Sequence, residues 1–175
     1  MRSLDNRVAI VTGGAQGIGG ATARKLASDG ARVLIADVDM AAAVQNAERI
    51  QNAGGTAEVL EVDITRSEQI SGMIERAVEL WGRLDILVNN AWSRREQDGS
   101  ALTLSEAAWD HAMSLVLKSV FLGAKYAAPH MQKQGGGAIV SISSAHGLMV
   151  AQGKMAYEVN KAGVIALTRQ MATDL

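Results

Sequence analysis

Tyr157 and Lys161 lie four residues apart in the run Ala156-Tyr157-Glu158-Val159-Asn160-Lys161-Ala162, and apolar, helix-compatible sequence continues to Leu167. On a helix this interval puts both side chains on one face, so the ammonium stands beside the phenol. A positive charge next to a phenol favours the phenolate, and such a group can exchange a proton with an alcohol or carbonyl oxygen near neutral pH. The same pair occurs on ordinary solvent-facing helices. The plain reading therefore prevails unless the rest of the chain supplies a chemistry.

The elements ahead of it do so. Arg7 to Thr12 reads as a short buried strand, followed by Thr12-Gly13-Gly14-Ala15-Gln16-Gly17-Ile18-Gly19 and a helical run over about 20–28. A strand, a glycine turn and a helix N-terminus together make an anion site: backbone N–H groups point outward, and glycines let the backbone approach a phosphate closely. The alternative is a glycine-rich turn with no ligand. A second strand, Arg32 to Ala36, ends in Asp37, 24 residues after Gly13. That is near the spacing at which a carboxylate meets an adenosine ribose. Such a carboxylate repels a 2′-phosphate, and neither Gln16 nor Val38 is basic, so the expected cofactor is NAD rather than NADP. The plainer alternative for Asp37 is a turn residue closing a strand.

Downstream, a helix is expected over 40–53 and a strand over Thr56 to Val62 ending in Asp63-Ile64. A helix over Arg66 to Trp81, a strand over Leu84 to Val88 and Asn89-Asn90-Ala91 follow, and then a charged loop from Trp92 to Gly99. A long helix over about 105–132 has Trp109, Met113, Val116, Val120, Phe121 and Ala124 on one side and other apolar residues around it, which suggests burial on two sides. A fifth strand, Ala138 to Ile142, runs into Ser143-Ser144, and the tyrosine helix over 155–173 completes the pattern. Strands alternating with helices argue a parallel sheet wound on both faces, one α/β domain over 1–175.

Composition narrows the function. With 175 residues, 48% hydrophobic and 20% charged, the chain is long enough for a real core. A net charge of -1 argues for neither nucleic acid nor an anionic membrane as partner. The N-terminal apolar run is too short for a signal peptide or a membrane span. There are no cysteines, which excludes disulfides, thiolate metal sites and cysteine nucleophiles and suits a reducing, cytoplasmic setting. His111, His130 and His146 lack metal-ligand spacing, so no metal is expected.

With these residues in hand the chain resembles the short-chain dehydrogenase/reductase family over its whole length. The motifs are Thr12-Gly-x3-Gly-Ile-Gly, Asp63 after the third strand, Asn89-Asn90-Ala91 after the fourth, and Ser144 thirteen residues before Tyr157-x3-Lys161. The resemblance implies a Rossmann fold with strand order 3-2-1-4-5 and hydride transfer between NAD and an alcohol or carbonyl substrate. It implies Tyr157 as general acid/base, Lys161 favouring its ionised form and binding the nicotinamide ribose, and Ser144 orienting the substrate oxygen. It places Gly13, Gln16, Gly17, Ile18 and Gly19 on the pyrophosphate side, Asp37 at the ribose, Asp63 and Ile64 at the adenine and Asn90 along the cofactor. It also implies a homodimer through helices 105–132 and 155–173.

Three departures from the family pattern stand out. The family's usual helix asparagine, seven residues after its tryptophan, is Val116 here, with Ser119 one turn on as a weak substitute. Trp92 replaces the usual glycine after Asn-Asn-Ala; it either walls the pocket or packs on the core. His146 has no carboxylate partner at a readable spacing, which leaves a Ser-His-Asp hydrolase reading without support. The family also continues past this chain's last residue with a sixth and seventh strand. Their absence is expected to leave an open edge at the fifth strand and a pocket short of one wall, as in an incomplete sequence. The rival reading is a non-catalytic NAD-binding or interaction module on the same fold.

Overall fold

The computed structural model describes residues 3–93 and 97–175. Arg94 to Glu96, within the loop expected over 92–99, lie outside the described residues. The sheet has five parallel strands: β1 (Val8–Thr12), β2 (Arg32–Asp37), β3 (Thr56–Glu61), β4 (Ile86–Asn89) and β5 (Ala138–Ser141). Their order is β3-β2-β1-β4-β5, as expected. The sheet reverses direction of build between β1 and β4, and in such sheets the crevice at the strands' C-terminal ends takes the ligand.

Period-two alternation on β1 sorts the core. Val8 and Ile10 face the side covered by α3 (Ser67–Trp81) and α5 (Ser119–Lys133), against Ile70, Ile74, Leu122 and Met131. Ala9 and Val11 face α1 (Gly17–Ser28) and α2 (Met40–Asn52), against Ala23, Ala43 and Ile50. Small residues dominate the α1 and α2 side, so those helices lie close to the sheet. Every residue of β1 is buried, which explains its unbroken apolar run.

Two boundaries moved for identifiable reasons. Helix α1 starts at Gly17 rather than at 20, so the glycine turn is itself the first turn of the helix. Strand β4 starts at Ile86 rather than Leu84, because the side-chain amide of Gln134 pairs with both Leu84 N–H and Leu84 C=O.

The long helix expected over 105–132 is not uniform. It comprises α4 (Glu106–Met113), a π turn (Ser114–Lys118) and α5. Its burial is two-sided: Leu122, Ala127 and Met131 pack towards the sheet, while Val116 and Val120 pack against Val164 of α6 (Met155–Asp174). Phe121, expected on the packed side, is instead 47% exposed with the Lys125 ammonium 5.9 Å from its ring. The β5 edge is open among the described residues, with Val140 half exposed. No helix among them is long and apolar enough to cross a membrane.

Candidate active site

Two groups of residues meet at the C-terminal ends of the strands. The first is the glycine turn. Gly13 and Gly17 both have positive φ, 63° and 59°, which only glycine adopts without strain here. At Gly19 the constraint is contact: an added Cβ would run into the carbonyl oxygen of Gly13 and the amide of Asn90. Gln16 caps α1 in extended conformation without a side-chain bond, and Ile18 is exposed. Among the described residues the first N–H groups of α1 therefore have no side-chain acceptor, which leaves them open to a phosphate.

Side chains from three other elements hold this turn. Asp37 accepts Ala15 N–H at 2.9 Å and Asp39 N–H at 3.0 Å. Asn90 donates to the carbonyls of Thr12 and Gly13 at 3.0 and 3.2 Å. Thr12 Oγ1 accepts the Asn90 and Ala91 N–H groups, tying β1 to the loop after β4. Asn46, unnoticed in the sequence, is fully buried in α2 and donates to the carbonyls of Gly14 and Gly20 at 2.8 and 3.3 Å, while its oxygen accepts from Arg24. Its signal was present: Asn46 falls in the apolar helical stripe Ala43, Ala47, Ile50, where an amide needs a reason.

Asp63 turns its carboxylate to Thr65, accepting both its N–H and its hydroxyl at 2.9 and 2.7 Å. Burial works against ionisation there, but these bonds prevail and hold the carboxyl below its ordinary value. Ile64 is buried in the core beneath the sheet.

The second group surrounds Tyr157 in the first turn of α6. Asp98 organises that turn from a distant loop: Oδ1 accepts Ala156 N–H and Oδ2 accepts Tyr157 N–H, at 2.9 and 3.1 Å. No local periodicity announces this bond, because its partners are 58 and 59 residues away. Lys161 lies one turn on, its ammonium 5.9 Å from the Tyr157 ring centroid and donating to Ile142 C=O at 2.7 Å. Burial pushes the Lys161 ammonium below its ordinary pKa. Ser144 starts the short 3-10 turn after β5 (Ala145–Gly147), where its hydroxyl oxygen accepts His146 N–H at 3.2 Å. Gly147 seats that turn on α6, since an added Cβ would meet Lys161 C=O at 2.9 Å.

A cavity of about 340 Å³ opens beside Tyr157. Trp92 walls it, with ring centroids 5.1 Å apart, and is not packed on the core. His146 lines it too, 5.9 Å from Tyr157, and here the sequence reading needs correction: Nδ1 pairs with Glu158 Oε1 at 2.8 Å. The partner sits on α6, twelve residues along, and the 3-10 turn brings the two together. Ser144 meets only the main-chain N–H of this histidine, so the pair does not form a Ser-His-carboxylate nucleophile relay. Val116 forms part of the cavity floor. Ser119 does not substitute for an amide there, because its hydroxyl donates back to Leu115 and Val116 C=O. Among the described residues, Asn160 carries a buried side-chain oxygen without a hydrogen-bond partner; its nitrogen is fixed by donation to Ala156 C=O.

Residues 7–175 match the short chain dehydrogenase family. The chain belongs to that family. It is 40% identical to cis-4-hydroxycyclohexanecarboxylate dehydrogenase of Sinomonas cyclohexanicum, over 95% of this chain and 66% of that one. It is 34% identical to 3-oxoacyl-[acyl-carrier-protein] reductase FabG of Thermotoga maritima, over 98% and 69%. A solved structure from Sinorhizobium meliloti 1021, assigned as a short-chain alcohol dehydrogenase, superposes with a TM-score of 0.92 at 33% identity, over 98% of this chain and 67% of that one. The chain thus spans about two thirds of the length of the curated relatives it matches. In this short-chain dehydrogenase sequence the glycine turn and the tyrosine helix are joined through the sheet: Asn90, after β4, bonds to the turn, and Ile142, after the neighbouring β5, accepts from Lys161 of α6.

Proposed function

We propose that this chain carries the cofactor-binding and proton-transfer parts of an NAD-dependent oxidoreductase acting on a small alcohol or its carbonyl product. The observation that carries the reading is the placement of Tyr157. It stands at a cavity, on a helix start pinned by Asp98, with the Lys161 ammonium beside its ring. Oxidoreductase chemistry follows from the family, whose named relatives are dehydrogenases and reductases.

The residues present fit a dinucleotide. The uncapped start of α1, the positive φ of Gly13 and Gly17 and the closed approach at Gly19 suit a pyrophosphate. Asp37 at the end of β2 suits ribose hydroxyls and opposes a 2′-phosphate, which supports NAD over NADP. When bound, the nicotinamide supplies the hydride acceptor or donor. The chain's part is proton handling. The ammonium of Lys161, held by Ile142 C=O, stabilises phenolate at Tyr157. Tyr157 takes the proton of an alcohol or returns it to a carbonyl oxygen. Ser144 stabilises charge on that oxygen, exchanging its bond with His146 N–H for one to substrate.

The test is NADH formation over a panel of secondary alcohols, with wild type and Tyr157→Phe. Turnover that disappears with the hydroxyl supports the reading. NAD binding with no turnover by a protein of full family length supports the non-catalytic module. A homodimer through the long helix and α6 belongs to the same proposal: Phe121 and Val159 leave a large apolar side chain half exposed on each. Sedimentation as a stable monomer at micromolar concentration overturns it.

A further inference from the structure

Among the described residues, the unpaired charge around the cavity is of one sign. Apart from Tyr157, the charged or titratable side chains on its described lining are Asp98, His146 and Lys154. The Asp98 carboxylate is already spent on three main-chain N–H groups, those of Gly99, Ala156 and Tyr157. It also faces the positive end of α6, which offsets its charge further. Lys154 is the opposite case. Its ammonium has no hydrogen bond or ion pair among the described residues, although it opens onto the cavity.

His146 is prepared rather than free. Glu158 is almost enclosed, with its side chain 10% exposed, and its Oε1 accepts both His146 Nδ1–H and Ala151 N–H, at 2.8 and 2.6 Å. This bond commits Nδ1 and fixes the ring, so Nε2 is the nitrogen left for a ligand. Gln97 adds an amide to the same wall. Among the described residues, a lining with an unpaired ammonium and an amide, and with its one carboxylate already satisfied, suits an anion.

We propose that the substrate is a small hydroxy acid or the matching oxo acid, its carboxylate held by Lys154 Nζ with the Gln97 amide on the same wall while its reacting oxygen faces Tyr157. This rests on the oxidoreductase reading above and names its substrate class. In the oxidative direction the alcohol O–H proton passes to Tyr157 and the C–H hydrogen leaves as hydride to NAD. The products are the oxo acid, NADH and one proton. Charge-assisted bonds to a carboxylate anchor the end remote from the reaction, and that fixes which carbon meets the cofactor.

The experiment compares the positional isomers of hydroxypentanoate with their uncharged primary amides, by calorimetric binding to the NADH-loaded chain and by turnover with NAD. The acid of at least one isomer is expected to bind about tenfold or more tightly than its amide. Lys154→Met should bring that ratio towards one, and Lys154→Arg should restore it. Thermal melts of each variant report folding separately. Equal binding of acids and amides overturns the proposal, as does an acid preference that survives Lys154→Met, and so does the absence of binding by either. Turnover of amides and neutral alcohols without preference for acids sinks the carboxylate site while leaving the oxidoreductase reading intact. Failure of NADH to shift the melt sinks the reading beneath it.

Discussion

Asp98 and Tyr157 are joined through the main chain: the carboxylate of one accepts the N–H of the other at 3.1 Å, from 59 residues away. The tyrosine is thereby placed through its main chain rather than through a bond to its hydroxyl. Asp98→Ala should cost about 1 kcal/mol of stability, the usual worth of a helix-capping carboxylate. The loss in kcat should exceed what that cost explains, with KM for NAD little changed. Asp98→Asn should recover most of the stability and part of the rate. Melting curves together with steady-state kinetics check this; equal, proportionate losses would reduce Asp98 to a stabilising cap.

Asn46 supports the glycine turn from beneath. Asn46→Ala takes the side-chain donor from the Gly14 carbonyl in a buried setting and the second donor from the helical carbonyl of Gly20, a loss of about 1–3 kcal/mol. It should also weaken NADH affinity, measured by calorimetry. Asn46→Asp should be worse than Asn46→Ala, because it sets a buried carboxylate oxygen against both carbonyl oxygens.

Asp37 both bonds to the turn and presents negative charge at the end of β2. Asp37→Asn should weaken NADH binding modestly and strengthen NADPH binding, narrowing the preference by about tenfold, or 1.4 kcal/mol. Titration of both cofactors against the variant reads it directly. An unchanged preference would move the discrimination elsewhere.

Asp85 predicts the acid limb of stability. Burial opposes its ionisation, but Arg83, Val8 N–H and Arg7 prevail and lower its pKa to about 2. A depressed carboxylate contributes stability above its unfolded pKa, 3.8, that is lost as pH falls through the folded value. The melt should therefore weaken between about pH 4 and pH 2, by roughly 2 kcal/mol in total. Asp85→Asn should start lower at pH 7 and lose this dependence.

Much of this was legible in the sequence because the signals were local. The buried run of β1, the glycine spacing and the interval between Tyr157 and Lys161 each lie within a few residues, and each specifies backbone geometry or one helix face. The strand order followed once the family resemblance was seen. What stayed hidden depends on contacts between distant segments. Asp98 read as one charge in a polar loop, and only the fold carries it to the start of α6. Glu158 stands unremarked between Tyr157 and Lys161 in the sequence, yet the 3-10 turn after β5 covers it and gives it His146. Phe121 went the other way: its helical phase was counted through a stretch that is not uniformly α-helical.

That stretch, the π turn at Ser114–Lys118, has a consequence for chain length. A wide turn accommodates about one residue more than the α-helical turn it interrupts, and one residue is about 100° of helix rotation. Val116 sits inside it and meets both the cavity and Val164, while Leu122 and Met131 beyond it meet the sheet. A single-residue deletion between 114 and 118 would restore a regular helix and swing one half against the other by that angle. Either Val116 would leave the cavity floor or the sheet-facing residues would leave the core. This segment should accept substitutions far more readily than a change in its count of residues.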